Sequence, residues 1–204
     1  MGKSAIARGA SMAADVWGKL DDRLKAKGGT EDAMHILAKE EGAPLLDVIA
    51  DILVKAELKT RNYPVTIDYG QSVEDMVKAG KYDYANEDIV AKNFPVEGNG
   101  TVEFELVLVH FDRDITSGAA IKKMEQMGLV PCKIEHLLAL GAKHPELQRQ
   151  QYSIICLGSS WVYPDGVRHV PCLYGYCGRR DLDLYWLGDN WGDHWRFLAV
   201  RKPR

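Results

Sequence analysis

Hydrophobic positions recur with helical spacing through the first third of the chain. Met12, Val16, Leu20 and Leu24, with Trp17 beside them, mark one face of a helix that Gly28-Gly29 ends. Residues 1–9 are small, basic and unpatterned, and are expected to lie outside it. Thr30 is a natural cap for a second helix, with Glu31 and Asp32 in the first turn, where the helix dipole favours anions. Pro44 suits the first turn of a third helix, because its missing N–H has no intrahelical partner there. Leu45, Val48, Ile49, Ile52, Leu53 and Ala56 then form a wide apolar face.

The period changes at Tyr63. Tyr63, Val65, Ile67 and Tyr69 alternate as in a strand. Ser72, with Asp75 three residues on, predicts a capped helix ending at Gly80, and a short helix is expected near Asn86–Lys92. Val102–Phe111 is the clearest strand. Val102, Phe104, Leu106 and Leu108 line one face, and Val107, Val109 and Phe111 line the other beyond Glu103 and Glu105, so its second half reads as a central strand. Thr116 or Ser117 opens a helix closed by Gly128. A Leu129-Val130-Pro131 link leads to another helix carrying Ile134, Leu137 and Leu138. Strands are expected at 152–157, 168–174, 182–187 and 195–201. The chain is therefore α+β: a helical segment over residues 1–60, then a domain over 61–204 with a mixed or antiparallel sheet and two packed helices.

Composition narrows the function classes. The 204 residues are 46% hydrophobic, too apolar for a disordered chain. Lys+Arg 26 against Asp+Glu 29 leaves a net charge of -3, without the basic excess of a nucleic-acid binder. The longest uncharged stretch, Gln150–Pro164, is interrupted by Gly158, Ser159 and Ser160 and is too short and too polar to span a bilayer. The amino terminus has no apolar run of leader length, and Ile6 breaks the myristoylation pattern. Four cysteines, Cys132, Cys156, Cys172 and Cys177, are too few for a disulfide framework. Reduced thiols and a cytoplasmic location are expected; a phage particle or a leaderless export route would read the same way.

Ten of the chain's 18 aromatic residues follow Gln151, many beside Gly, Asp or Asn. Aromatic rings on stiff loops give large contact area at small entropic cost, which makes Trp161, Tyr163, Tyr176 and Trp191 candidate ligand-binding residues. The other reading is that these rings fill the core of a loop-rich sheet. Asp189, Asn190 and Asp193 offer hard oxygen ligands for calcium on a Gly-rich turn, or simply make the turn. His110, Asp112 and Asp114 alternate at a strand end, as ligands of a hydrolytic metal or as a solvated edge leading to a helix cap. Cys172 and Cys177, with His169 nearby, could hold zinc, but a fourth ligand is missing and the spacing is irregular, so two independent buried thiols are the favoured reading. Cys132 and His136 are one helical turn apart with no third group, and no phosphate loop or nucleophile elbow is present.

The order strand, helix, helix, strands from residue 101, with the phrase Gly-Leu-Val-Pro-Cys-Lys-Ile-Glu-His-Leu-Leu-Ala-Leu-Gly at 128–141, resembles the C-type-lectin-like fold. Formylglycine-generating enzymes also use that fold. The resemblance covers about the last hundred residues. It implies that the closing segment Arg196–Arg201 pairs with Val102–Phe111, and that Cys172 and Cys177, followed closely by Arg179, would bind copper. The Asp189-Asn190-Trp191 order does not match the lectin Trp-Asn-Asp phrase. The expected function is a non-catalytic module presenting aromatic loops to a protein or a small polar ligand such as a carbohydrate, with no resident cofactor. The amino-terminal helices would pack or oligomerise. The alternatives are a metal-dependent enzyme, either a copper-thiolate oxidase or a hydrolase, and a structural protein of a phage or mobile element.

Overall fold

Helix α1 spans Lys3–Ala26 and begins well before the apolar stripe at Met12. Ala5, Ala7 and Ala10 explain the difference, since alanine favours helix without any apolar period. The computed structural model describes residues 3–60, 62–149, 153–188 and 190–201. Asp15–Lys19 and Asp21–Lys25 are i, i+4 ion pairs along α1. Helices α2 (Glu31–Ile36) and α3 (Ala43–Thr60) follow. The chain divides into two compact units, Met1–Lys55 and Ala56–Arg204. In the first unit the apolar row Leu45, Val48 and Ile52 is exposed, as are Leu46 and Leu53. Among the described residues no helix is long and apolar enough to cross a membrane.

The second unit is a nine-stranded mixed sheet between two helical layers. Strand β1 (Asn62–Asp68) leads to α4 (Val73–Gly80), where the Ser72 hydroxyl accepts from the Asp75 N–H at 3.1 Å as its spacing predicts. Then come β2 (Tyr84–Ala85), β3 (Thr101–Val109), α5 (Ser117–Gln126), β4 (Leu129–Pro131), α6 (Ile134–Lys143) and α7 (Glu146–Arg149). Strands β5 (Ser153–Ile155), β6 (Trp161–Val162), β7 (Arg168–Tyr176), β8 (Arg179–Trp186) and β9 (Trp195–Arg201) complete the unit. The main order is β1-β3-β9-β5-β7-β8-β2, with β4 beside β9 and β6 beside β7.

Strand β3 is central, as its two apolar faces predict. It pairs antiparallel with β1 on one side and with β9 on the other, from Leu106↔Val200 to Val109↔Phe197. Leu106 and Leu108 join the cluster under α4 and α6, with Leu137, Leu138, Ile154, Leu173, Leu182 and Leu198. Val107 and Val109 join the opposite cluster with Met124, Ile155, Val170, Trp191, Trp195 and Phe197. The sheet is mostly antiparallel, yet it has two buried faces because clusters pack on both sides of it.

Two local expectations differ from the structure, and one short strand carries no sequence signal. Residues 86–92 form turns, because the Asn86 side chain accepts the Asp88 N–H at 3.0 Å and offers the backbone an alternative to helix. The Leu129–Pro131 link is the strand β4, held by β9 from Leu129↔Arg201 to Pro131↔Ala199. Two residues at Tyr84–Ala85 pair parallel with β8, too few to carry any period.

Candidate functional site: an aromatic face at the end of the β7–β8 hairpin

The four aromatic residues singled out from the sequence fall in three places. Trp161 and Tyr163 stand together, with ring centroids 4.4 Å apart. Tyr176 is 73% exposed but lies at the far end of β7, roughly 23 Å of strand from His169. The hairpin turns there on Cys177 (φ 49) and Gly178 (φ 83), the two left-handed positions of a type I′ turn.

Trp191 overturns its expected role. It is 1% exposed and packs edge-on to Trp195 and Phe197 in the α5-side cluster. Its backbone exchanges both hydrogen bonds with Ile115, at 2.8 and 3.0 Å, and its indole N–H donates to Ser117 Oγ at 2.8 Å. The Gly- and Asp-rich loop therefore delivers a ring into the core instead of presenting one.

Around Trp161 and Tyr163 the register assembles two further rings. Trp161 lies opposite His169, and His169 lies opposite Trp186, so all three share the α4–α6 face of the sheet. Tyr163 stacks on His169 at 4.3 Å. The β6–β7 connection is held by Tyr163 N–H to Val167 carbonyl (2.9 Å), Gly166 N–H to Tyr163 carbonyl (2.9 Å) and Val167 N–H to Asp165 Oδ1 (2.9 Å). Trp186 is 60% exposed and is braced from beneath: a Cβ on Gly188 would meet its ring at 3.1 Å. The Tyr163 hydroxyl lies against Asn86 and Asp88; burial first, then the Asp88 and Asp183 carboxylates, push its pKa above the ordinary phenol value against the opposing Asn86 hydrogen bond. Asn86 Nδ2 donates to Asp183 Oδ1 at 2.8 Å. An exposed indole and a fixed ring stack are thus bordered by an amide and carboxylates.

The metal-site candidates are not brought together. Cys172 is 1% exposed within the α5-side cluster, and burial above all pushes its thiol well above the usual range. Cys177 is exposed at the hairpin turn, roughly 13 Å of strand beyond Cys172. A protonated core thiol and a remote surface thiol form neither a copper nor a zinc pair. Asn190 and Asp193 are exposed, and Asp189 lies outside the described residues. His110 Nε2 donates to the Asp193 carbonyl at 2.6 Å, and Asp112 turns the chain with φ 52. Among the described residues no group of three or more His, Cys, Asp or Glu side chains is arranged to hold a metal ion. No family model, curated protein or solved structure matches the chain.

His136 is built into the core and has a pH signature. It is 7% exposed, accepts the Lys133 N–H at Nδ1 (3.2 Å) and meets the Phe104 ring edge-on at 4.6 Å. Desolvation lowers its pKa from the ordinary 6.5 to about 4. The unfolded chain therefore binds a proton that the folded chain refuses. The stability His136 contributes is complete above pH 6.5 and is lost as pH falls towards 4, in total about 3 kcal/mol. Neighbouring Glu135, its pKa raised chiefly by burial, works in the opposite sense above pH 4.5. The expected result is that His136→Gln loses about 2–3 kcal/mol less than the wild type between pH 7 and 4.5 in urea unfolding. Parallel pH curves for the two proteins would contradict the assignment.

Proposed function

We propose that the second unit is a non-catalytic binding module whose ligand is a carbohydrate, held on the aromatic face formed by Trp161, Tyr163, His169 and Trp186. The observation that carries this reading is Trp186: an indole 60% exposed, set close to Gly188 and opposite His169 of the ring stack in the β7–β8 register. A pyranose ring has an apolar C–H face and a hydroxyl rim. The indole suits the first, and Asn86, Asp88 and the Tyr163 hydroxyl, at the border of the patch, suit the second. The rings are anchored by strand register and hairpin hydrogen bonds, so little freedom is lost on binding.

The test is titration of the full chain with cello-, chito-, malto- and xylo-oligosaccharides, followed by tryptophan fluorescence and calorimetry. At least one series is expected to bind saturably. Trp186→Ala should weaken that binding by about tenfold or more, with an unchanged thermal midpoint. Absence of binding by all four series at about 10 mM, or equal affinity in Trp186→Ala, would remove the carbohydrate reading. Retention of a protein partner through the same residue would replace it with the protein-ligand alternative.

A further inference from the structure

A second site, independent of the aromatic face, lies between α4, α6 and β1. A cavity of about 470 Å³ opens there. Its existence follows from side-chain size. Ala139 and Ala142 on α6 and Ala79 on α4 face it, and small residues at a helix–helix crossing leave volume unless a partner fills it. Ile67, Met76 and Leu138 make its walls apolar.

One polar side chain in this lining is out of place. Glu135 lines the cavity, is 2% exposed, and its Oε2 has no hydrogen-bond partner among the described residues. Glu135, Leu138, Ala139 and Ala142 fall at i, i+3, i+4 and i+7, so the carboxyl stands on the same face of α6 as the alanines. The Lys133 charge favours the carboxylate, but no basic group donates to Oε2. His136 Nδ1 is 3.7 Å from Glu135 Oε1, but that nitrogen already accepts the Lys133 N–H and carries no proton to give. Asp68 and Lys143, both exposed, complete the charged lining, which leaves an excess of one negative charge. A buried carboxylate oxygen without a donor is costly, and native structures rarely keep one unless it has a role.

We propose that this cavity binds a small primary ammonium compound, with the ammonium donating to Glu135 Oε2 and its hydrocarbon body against Ile67, Met76 and Leu138. The ligand supplies what Glu135 Oε2 lacks, a charged N–H donor within reach, and takes up the apolar volume that the alanines leave. A carboxylate ligand would add a second negative charge beside Glu135. A neutral alcohol would supply a donor but no charge.

The experiment compares benzylammonium, benzyl alcohol and benzoate by calorimetry on the full chain at pH 7, with thermal denaturation of each variant. Benzylammonium is expected to bind saturably and at least about tenfold more tightly than either of the other two. Glu135→Gln should lose at least about tenfold of that affinity without a lower thermal midpoint, since it removes the charge and keeps the shape. Ala139→Leu, which fills the cavity and leaves Glu135 in place, should abolish binding of all three. Equal benzylammonium affinity in Glu135→Gln, equal binding of benzyl alcohol, undiminished binding in Ala139→Leu, or no binding by the wild type at about 10 mM would each overturn the proposal. None of these results bears on the oligosaccharide titration, whose site shares no residue with this one.

Discussion

Replacing Trp191 with alanine is expected to destabilise the second unit by about 3–5 kcal/mol, whereas Trp186→Ala should cost under about 1 kcal/mol. Both indoles belong to the same aromatic stretch, but their surroundings differ. Trp191 is 1% exposed, with Tyr185, Trp195 and Phe197 at centroid distances of 5.7, 5.1 and 6.3 Å. Truncation would remove one of the two tryptophans of its cluster and leave a void that the flanking strands cannot close. It would also deprive Ser117 Oγ of the indole donor; that hydroxyl in turn donates to the Gly188 carbonyl at 3.1 Å. The loss therefore spreads to the start of α5 and to the loop that braces Trp186. Trp191→Phe keeps much of the volume and loses the N–H donor, and should fall between the two. Urea unfolding followed by far-ultraviolet circular dichroism distinguishes them. A Trp191→Ala protein as stable as the wild type would mean that this ring is not a core residue.

The same pair shows which features could be read from the chain. Glycine and aspartate around Trp191 correctly marked a loop, since they favour turns. They carry no information about which way a ring points. The direction is set by the bridge to Ile115, a non-local contact absent from any local pattern. Strand β3 was legible because its period exposes both faces. Caps Ser72 and Thr116 were legible because capping acts over three residues. Strand β4 was not, because Leu129–Pro131 takes its identity from β9. Trp161 and Tyr163 were visible as a pair, but His169 and Trp186 joined them only through cross-strand register. The alternation of Leu182 and Leu184 with Asp181 and Asp183 was the available signal, since it puts Trp186 on the leucine face. Glu135 escaped for a related reason. Residues 134–138 are all buried, because α6 packs on more than one side, so its helical period does not separate inside from outside. The cysteine spacing misled because five residues along a strand and into its turn separate side chains that five residues in a loop can join.

Arg180→Met is expected to cost about 3–5 kcal/mol, comparable to Trp191→Ala but by a different route. Arg180 is 4% exposed. Its Nη1 donates to the carbonyls of Gly80 (2.8 Å) and Lys81 (3.3 Å), its Nη2 to the Gly141 carbonyl, and its Nε to Gln148 Oε1 (3.1 Å). Gln148 in turn donates through Nε2 to the carbonyls of Tyr174 (3.1 Å) and Asp181 (3.0 Å). The guanidinium also lies over the Tyr82 ring, 5.1 Å from its centroid. No carboxylate is among these guanidinium contacts; carbonyls at the end of α4 and within the last turn of α6, where the helix dipoles are negative, favour the charge, with Asp83 and Glu146 acting on it from further off. One side chain thus ties three helices to β8. Methionine fills part of the volume but leaves at least three buried acceptors without a donor. Arg180→Lys keeps the charge, yet a single ammonium cannot reach acceptors spread over α4, α6 and α7, so about 2 kcal/mol of loss should remain. Amide exchange should show the difference in kind. In Arg180→Met, protection should fall first at the ends of α4 and α6, whereas Trp191→Ala should loosen α5 and the loop after β8. Equal stability of Arg180→Met and the wild type would mean that the helix-end carbonyls find other donors and that the tie is dispensable.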